Sequence, residues 1–329
     1  MKKILLIDID GKIPNLALMK LSTYHKAKGD SIKLIKLGLT YYNNIKKPKE
    51  IDATGFDNVY ASVIFPINKD NFIINGCKDV SIGGTGYSLD KQLEEEINKC
   101  DLDYSIYPDN DISYGFITRG CIRNCYFCFV PKKEGKLVFN RDPKDIIKHK
   151  KVKFMDNNFL AYDKHKEILI YLNKQPIRYQ FNQALDIRLI DDENAKLLSE
   201  AKYFGEYTFS FDDIRTVDII EEKVKILKKY IYKDWKIKMF LYCNPKMKLC
   251  ETIFRIDWCY KNKILPYLMR DKTCWDSEYS DFYVDLCAWV NQPNIFKKMS
   301  FEDFIERRHT NNDRIKRSLQ LYKNTYKEL

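Results

Sequence analysis

The hydrophobic positions of this chain fall into short runs that switch between two periods. Residues 3–10 (KILLIDID) and 31–37 (SIKLIKL) read as strands. Between them Leu16, Leu18, Met19, Leu21 and Tyr24 recur close to helical spacing, with Gly29 as the stop. Further β-rich runs occupy 58–65 (NVYASVIF) and 79–82 (DVSI), and Leu89 to Cys100 reads as a helix. Strands alternating with helices imply a parallel sheet, here in a compact α/β unit over residues 1–105. The turn-rich stretch 101–112, with Pro108, Asp109 and Asn110, marks a domain boundary.

The second half repeats a strand-then-helix rhythm. Strands are predicted at 113–118, 152–156, 178–183, 206–211, 236–242 and 264–269, and helices at 142–149, 164–173, 191–203 and 216–230. Six such units point to a partial (β/α)6 barrel over residues 112–290, in which the chemistry would sit at the carboxyl ends of the strands. Residues 291–329 read as one or two charged helices with a basic face (Arg307, Arg308, Arg314, Lys316, Arg317). The expected fold class is therefore α/β: an N-terminal Rossmann-like parallel sheet, a partial (β/α)6 TIM-like barrel, and a short helical C-terminal tail.

Composition narrows the class. Of 329 residues, 45% are hydrophobic and 14% aromatic, which suits a folded core and not a disordered chain. No apolar run approaches the roughly 18 residues of a membrane span. Met1–Asp10 is interrupted by Asp8 and Asp10 and lacks a small-residue cleavage site, so it reads as a strand, and a cytoplasmic location without a membrane partner is the expectation. In that setting the ten cysteines are candidates for metal ligands, reactive thiols or core residues before disulfides. The net charge of +11 is uneven. Residues 1–110 are neutral, whereas 111–160 carry 11 Lys+Arg against 5 Asp+Glu. A solvated lysine-rich surface and a footprint for RNA or another anionic substrate both fit that distribution.

The positive charge starts where the informative segment starts, FITRGCIRNCYFCFV at 116–130. Cys121, Cys125 and Cys128 lie within eight residues, directly after a predicted strand. A structural zinc or an ordinary electron-transfer cluster wants four protein ligands. Three thiolates on a [4Fe–4S] cluster leave one iron open, the arrangement of a catalytic metal site. The amino and carboxylate groups of S-adenosylmethionine would suit that iron, and one electron would then cleave a carbon–sulfur bond. The alternative is a structural metal knuckle with a fourth ligand from elsewhere, in a non-catalytic module that binds nucleic acid or a protein partner.

The Cys-x3-Cys-x2-Cys spacing with Phe127 before the third cysteine resembles the radical S-adenosylmethionine superfamily. The words TRGCIRNCYFCFVP resemble members with a cobalamin-binding-type domain and methylthiotransferase-type members. The resemblance covers roughly residues 112–270. It implies the partial barrel, with the cysteine loop after its first strand, a 5′-deoxyadenosyl radical that modifies a substrate, and an electron donor such as flavodoxin or ferredoxin. It implies that Phe127 contacts the adenine side of the cofactor. VKFMDNNF (152–159) resembles the second-strand motif, which implies Asp156 and Asn157 near the cofactor's amino group. QALDIRLI (183–190) implies Arg188 in the pocket. FSFDD (209–213) stands where relatives show Gly-Ile-Glu, with Ser210 and Asp212 in place of the glycine and glutamate.

The first unit resembles the cobalamin-binding domain of the same relatives, with cobalamin as the implied cofactor. Their Asp-x-His-x-x-Gly motif is absent, and the unit's only histidine, His25, has no Asp two residues before it. Gly83-Gly84-Thr85-Gly86 reads either as a tight turn or as part of a nucleotide or corrin site. Cysteines 243, 250, 259, 274 and 287 are widely spaced and read as buried thiols before an auxiliary cluster. Aromatics in 287–308 (Trp289, Phe296, Phe301, Phe304) read as packing residues before base-stacking ones.

Overall fold

The computed structural model describes residues 1–39 and 47–327. It is a mixed α/β chain with several parallel sheets, in two compact units. One comprises Met1–Asp111 with Asn124–Gly135, the other Ile112–Arg123 with Lys136–Leu329.

The first unit contains β1 (Lys3–Asp8), α1 (Leu16–Ala27), β2 (Ser31–Lys36), β3 (Lys49–Asp52), β4 (Asn58–Ser62), β5 (Phe72–Asn75), β6 (Val80–Gly83) and α2 (Glu95–Lys99). Strands β2–β1–β4–β6 form a wholly parallel sheet, and β3–β5 form a parallel pair. Alternate residues of β1 feed two cores. Ile4 and Leu6 pack with Leu18, Leu21 and Ile97, while Leu5, Ile7 and Ile9 pack with Val59, Ala61 and Val63. A strand covered on both faces explains why ILLI is unbroken by polar residues.

Helix α1 begins where Asn15 Oδ1 accepts the Leu18 N–H at 3.2 Å, and Gly29 leaves it at φ +80°. The helix expected over 89–100 shrinks to Glu95–Lys99. Ser88 Oγ takes the N–H groups of Asp90 and Lys91 in a turn, and Glu95 and Glu96 sit in the helix's first turn, where the dipole favours acids. Of the glycines at 83–86, Gly84 and Gly86 serve close packing, whereas Gly83 faces open space. A Cβ on Gly84, at φ +97°, would lie 2.3 Å from the Val63 carbonyl oxygen, and one on Gly86 would lie 2.6 Å from the Phe65 carbonyl carbon.

The second unit opens with β7 (Ile112–Gly115) and β8 (Thr118–Arg119). Helix α3 (Val130–Glu134) lies in the segment that belongs to the first unit. The second unit resumes with β9 (Val138–Phe139), α4 (Pro143–Ile146), β10 (Lys151–Phe154), α5 (His165–Lys174), β11 (Arg178–Phe181), α6 (Asp192–Glu200), β12 (Tyr207–Ser210), α7 (Val217–Tyr230), β13 (Ile237–Cys243), α8 (Leu249–Lys261) and β14 (Leu265–Arg270). It ends with α9 (Ser280–Val290), α10 (Pro293–Phe296), α11 (Phe301–Arg308) and α12 (Asn312–Tyr326).

Two three-stranded parallel sheets, β11–β10–β7 and β12–β13–β14, carry this unit. Isolated parallel bridges Tyr179–Tyr203 and Leu185–Phe209 run between them, and β8 pairs antiparallel with β9. The helix expected at 142–149 stops at Ile146, because Ser113 Oγ takes the N–H groups of Lys148 and His149, both at 2.8 Å. The C-terminal aromatics are buried: Trp289 meets Phe296 at 5.1 Å between ring centroids, and Phe301 meets Tyr322 at 4.6 Å. Among the described residues no helix is long and apolar enough to cross a membrane.

Candidate functional site

In the second unit, chemistry-bearing side chains follow the carboxyl ends of the parallel strands: Cys121 after β7 and the intervening antiparallel β8, Asp156 to Asn158 after β10, Asp186 and Arg188 after β11, and Asp212 after β12. Open α/β sheets concentrate ligand-binding residues at that edge, where strand ends leave backbone groups and loops without ladder partners.

Gly120, at φ +80°, turns the chain out of β8 and delivers Cys121. Cys121 is half-buried, and its sulfur accepts two N–H groups. One is its near neighbour's backbone, Arg123 N at 3.3 Å, and the other is Asn158 Nδ2 at 3.4 Å. Asp186 organises both donors. It is 5% exposed and accepts Arg123 Nε at 2.8 Å, Arg188 Nε at 2.7 Å, Arg188 Nη2 at 3.1 Å and Asn158 Nδ2 at 3.4 Å. Burial pushes its carboxyl up, but the hydrogen bonds and charges of the two guanidinium groups outweigh burial and leave it below the ordinary carboxylate value.

This places the expected residues differently from one another. Asp156 spends its carboxylate on backbone: it accepts Ile117 N at 3.2 Å and Thr118 Oγ1 at 2.7 Å, together with Thr118 N. Burial pushes its pKa up to about 6 in spite of those bonds. Asn157 is half-buried beside it. The Arg188 guanidinium grips Asp186, so its first partner is protein. Ser210 ends β12. Asp212 accepts Tyr242 N at 2.8 Å, with its pKa raised by burial, against the pull of the Arg255 and Arg188 charges. Asn158, Asp186 and Arg123 were not singled out from the sequence. Asn158 and Asp186 lie within the DNNF and QALDIRLI segments, one or two residues from the expected positions.

A cleft of ≈ 610 Å³ adjoins Cys121 within the second unit, lined by Ile122, residues 136–139 and residues 161–163. Phe139 and Tyr162 stack along it at 5.9 Å.

In the Asn124–Gly135 segment of the first unit, Cys128 N donates to Cys125 O at 3.0 Å and closes a turn. Both thiols are half-buried, and the Phe127 ring meets Tyr126 edge-on at 5.2 Å. Among the described residues no group of three or more His, Cys, Asp or Glu side chains is gathered as a metal site. Further along, Lys136, Lys144, Lys148 and Lys150 are exposed, while Lys151 and Lys153 are half-buried. His25 is buried, with Nδ1 2.9 Å from Asp30 and Nε2 3.2 Å from the Tyr60 hydroxyl, so neither ring nitrogen is open to a corrin cobalt.

The later cysteines divide. Cys243, Cys259, Cys274 and Cys287 are buried, and Cys250 is half-buried. The Cys274 thiol donates to the Cys243 backbone carbonyl at 3.6 Å, and Cys287 Sγ accepts Asn291 Nδ2 at 3.0 Å. No protein-family model and no curated protein matches the chain.

Proposed function

We propose that this chain is a radical S-adenosylmethionine enzyme in which Cys121, Cys125 and Cys128 hold a [4Fe–4S] cluster. The observation that carries the reading is the spacing of the three thiols on one short segment, which follows the first strand of a parallel sheet (β7) after the short antiparallel β8. The surroundings of Cys121 fit such a ligand set. Its sulfur already accepts two N–H groups, as a cluster thiolate does, and the buried Asn158 beside it has a carbonyl oxygen, Oδ1, with no protein donor. Bound there, the cluster would supply a low-potential electron and one iron open to the amino and carboxylate groups of S-adenosylmethionine.

The chain's own part is positioning. Arg123 and Asn158 donate toward the Cys121 sulfur and offset its negative charge. Asp186 holds both in place. Asp156 locks the start of β8 to the end of β10, and so fixes where the cysteine segment leaves the sheet. Strand orders β7–β10–β11 and β12–β13–β14, with parallel bridges between them, suit a partial (β/α)6 barrel, and β2–β1–β4–β6 with α1 suits a Rossmann-like domain. A corrin in that domain would have to bind without a histidine ligand from it.

The test is the EPR spectrum of the anaerobically reconstituted, dithionite-reduced protein, with and without S-adenosylmethionine. The expected result is a [4Fe–4S]⁺ signal that shifts on addition. A protein that takes up one zinc and no iron or sulfide would make it a metal-stabilised binding module instead.

A further inference from the structure

We propose that the amino-terminal edge of the second unit's parallel strands is a docking surface for single-stranded nucleic acid, with the phosphates on its exposed cations and an unpaired base on Tyr232. The inference depends on neither the cysteine segment nor a cofactor.

The two ends of the same strands carry opposite charge. The connections that enter β10 to β14 span residues 146–151, 174–178, 200–207, 230–237 and 261–265, each from the last helical residue to the first strand residue. They hold ten Lys+Arg against three Asp+Glu. The connections that leave those strands, 154–165, 181–192, 210–217, 243–249 and 270–280, hold seven against ten. A lysine-rich coat spread evenly for solubility would not sort by strand end. The excess positive charge therefore lies on the edge opposite Asp156, Asp186 and Asp212, and a polyanion is the partner that such an edge attracts.

Hydrogen bonds and ring contacts join the entering connections into one face. Arg178 N donates to Lys150 O at 2.8 Å, and Phe204 N donates to Tyr179 O at 3.2 Å. Lys153 Nζ lies 5.9 Å and the Arg178 guanidinium 6.0 Å from the centre of the Phe204 ring, which holds two cations side by side. Lys236 Nζ donates to Gly205 O, and Trp235 N donates to Lys263 O at 2.8 Å. Lys148, Lys150, Arg178, Lys202, Lys233 and Lys263 are exposed. Burial pushes the Lys236 pKa down against the pull of Glu206, and the charges of Lys233 and Arg178 push it further. Like charges held together are a cost that an anion laid across them removes.

At the entry to β13 a cavity of ≈ 130 Å³ opens among Lys228, Tyr232, Lys233, Asp234 and Lys263. That is several times the roughly 30 Å³ share of a water molecule, room for a phosphate group. Its walls carry three ammonium groups and one carboxylate. Asp234 already binds Lys263 at 2.9 Å, and Lys228 donates to the neutral Asn262 O. Tyr232 stands at this cavity and is 85% exposed. An open ring beside a cationic track suits an unpaired strand, whose bases can stack on it. A duplex hides its base faces, and an anionic membrane has none.

The test is the fluorescence anisotropy of labelled oligo-uridine and oligo-thymidine strands of about 12 nucleotides, titrated with the purified full-length chain. Between about 50 and 200 mM salt, affinity should fall with a log–log slope of about −3, as about four phosphate contacts require. The triple variant Lys150→Glu, Arg178→Glu, Lys233→Glu should bind at least about tenfold more weakly, with a shallower slope. The control triple Lys225→Glu, Lys316→Glu, Lys323→Glu changes the net charge equally at exposed positions elsewhere on the unit. At about 150 mM salt, where distant charges are screened, it should stay within about twofold of wild type. Tyr232→Ala should weaken binding about tenfold at an unchanged slope, and Tyr232→Phe should restore it. Should the first triple fail to fold, Lys150→Glu with Lys233→Glu keeps the comparison. Equal losses in the two triples, tighter binding of a matching duplex than of either strand, or no binding of either strand overturns the proposal. In the last case, binding to vesicles containing about one-third phosphatidylserine would reassign the edge to a membrane surface. None of these outcomes bears on the cluster reading, which the EPR experiment decides.

Discussion

At the residue scale, two aspartates show how neighbours decide what a carboxyl group does. Asp186 is buried but faces two guanidinium groups, so it stays ionised and serves as an anchor. Asp156 is buried against neutral donors only, and its pKa rises to about 6. A carboxyl raised above its unfolded value binds its proton more tightly in the folded state. Its contribution is therefore complete below about pH 4 and falls away as pH rises to about 6, by about 3 kcal/mol. Asp156→Asn removes this titration. In denaturant melts at pH 4 to 7, the stability of wild type relative to Asp156→Asn should decline across that window and then level off. Asp156→Ala should cost about 3–5 kcal/mol near pH 4 and less at pH 7, because it strands the buried donors of Ile117 and Thr118 but also removes the titrating carboxyl. Equal pH dependence of wild type and Asp156→Asn would show that Asp156 does not titrate there.

At the element scale, helix limits were set by local caps wherever the caps were strong. Asp191 and Asn194 form a reciprocal capping box at α6, and Ser300 and Asn311 cap α11 and α12. Limits were misjudged where a distant group intercepted the backbone, as Ser113 does at the end of α4. The C-terminal helices are held by more than their apolar faces. Asp285 of α9 is fully buried and accepts Arg314 at 2.8 Å and 3.1 Å and Ser318 at 3.2 Å, with His309 Nε2 at 2.8 Å. Burial pushes its carboxyl up, but those partners bring it below the ordinary value. The lowered pKa means the contact is complete at neutral pH and lost as pH falls through the carboxylate range. Asp285→Ala leaves these partners without their anion, so stability should drop by about 3 kcal/mol and α11–α12 should become the first site of limited proteolysis. Unchanged melting and cleavage would show that Phe301, Phe304 and Ile305 hold the helices alone.

At the scale of the whole molecule, seven of the ten cysteines fall by burial and spacing into two populations. Cys121, Cys125 and Cys128 are half-buried and close in sequence, whereas Cys243, Cys259, Cys274 and Cys287 are buried and far apart. Alanine at any of the first three should reduce S-adenosylmethionine cleavage to background, measured as 5′-deoxyadenosine. Cys259→Ala should keep cleavage and lose about 1–2 kcal/mol of stability. Retained cleavage in Cys125→Ala would remove that thiol from the ligand set. The sequence by itself determined the alternation of strands and helices, the parallel sheets and the segment that carries the cysteines. Period-2 apolar runs, N-caps and ligand spacing are local, and residues a few positions apart report on them. Only the tertiary structure decided that Asp156 binds backbone, that Arg188 is taken up by Asp186, and that Asn158 stands between Asp186 and Cys121. Those pairings join residues 28 to 39 positions apart, or compete for one carboxylate, and a hydrogen bond's partner is fixed by distances in space that no local pattern encodes.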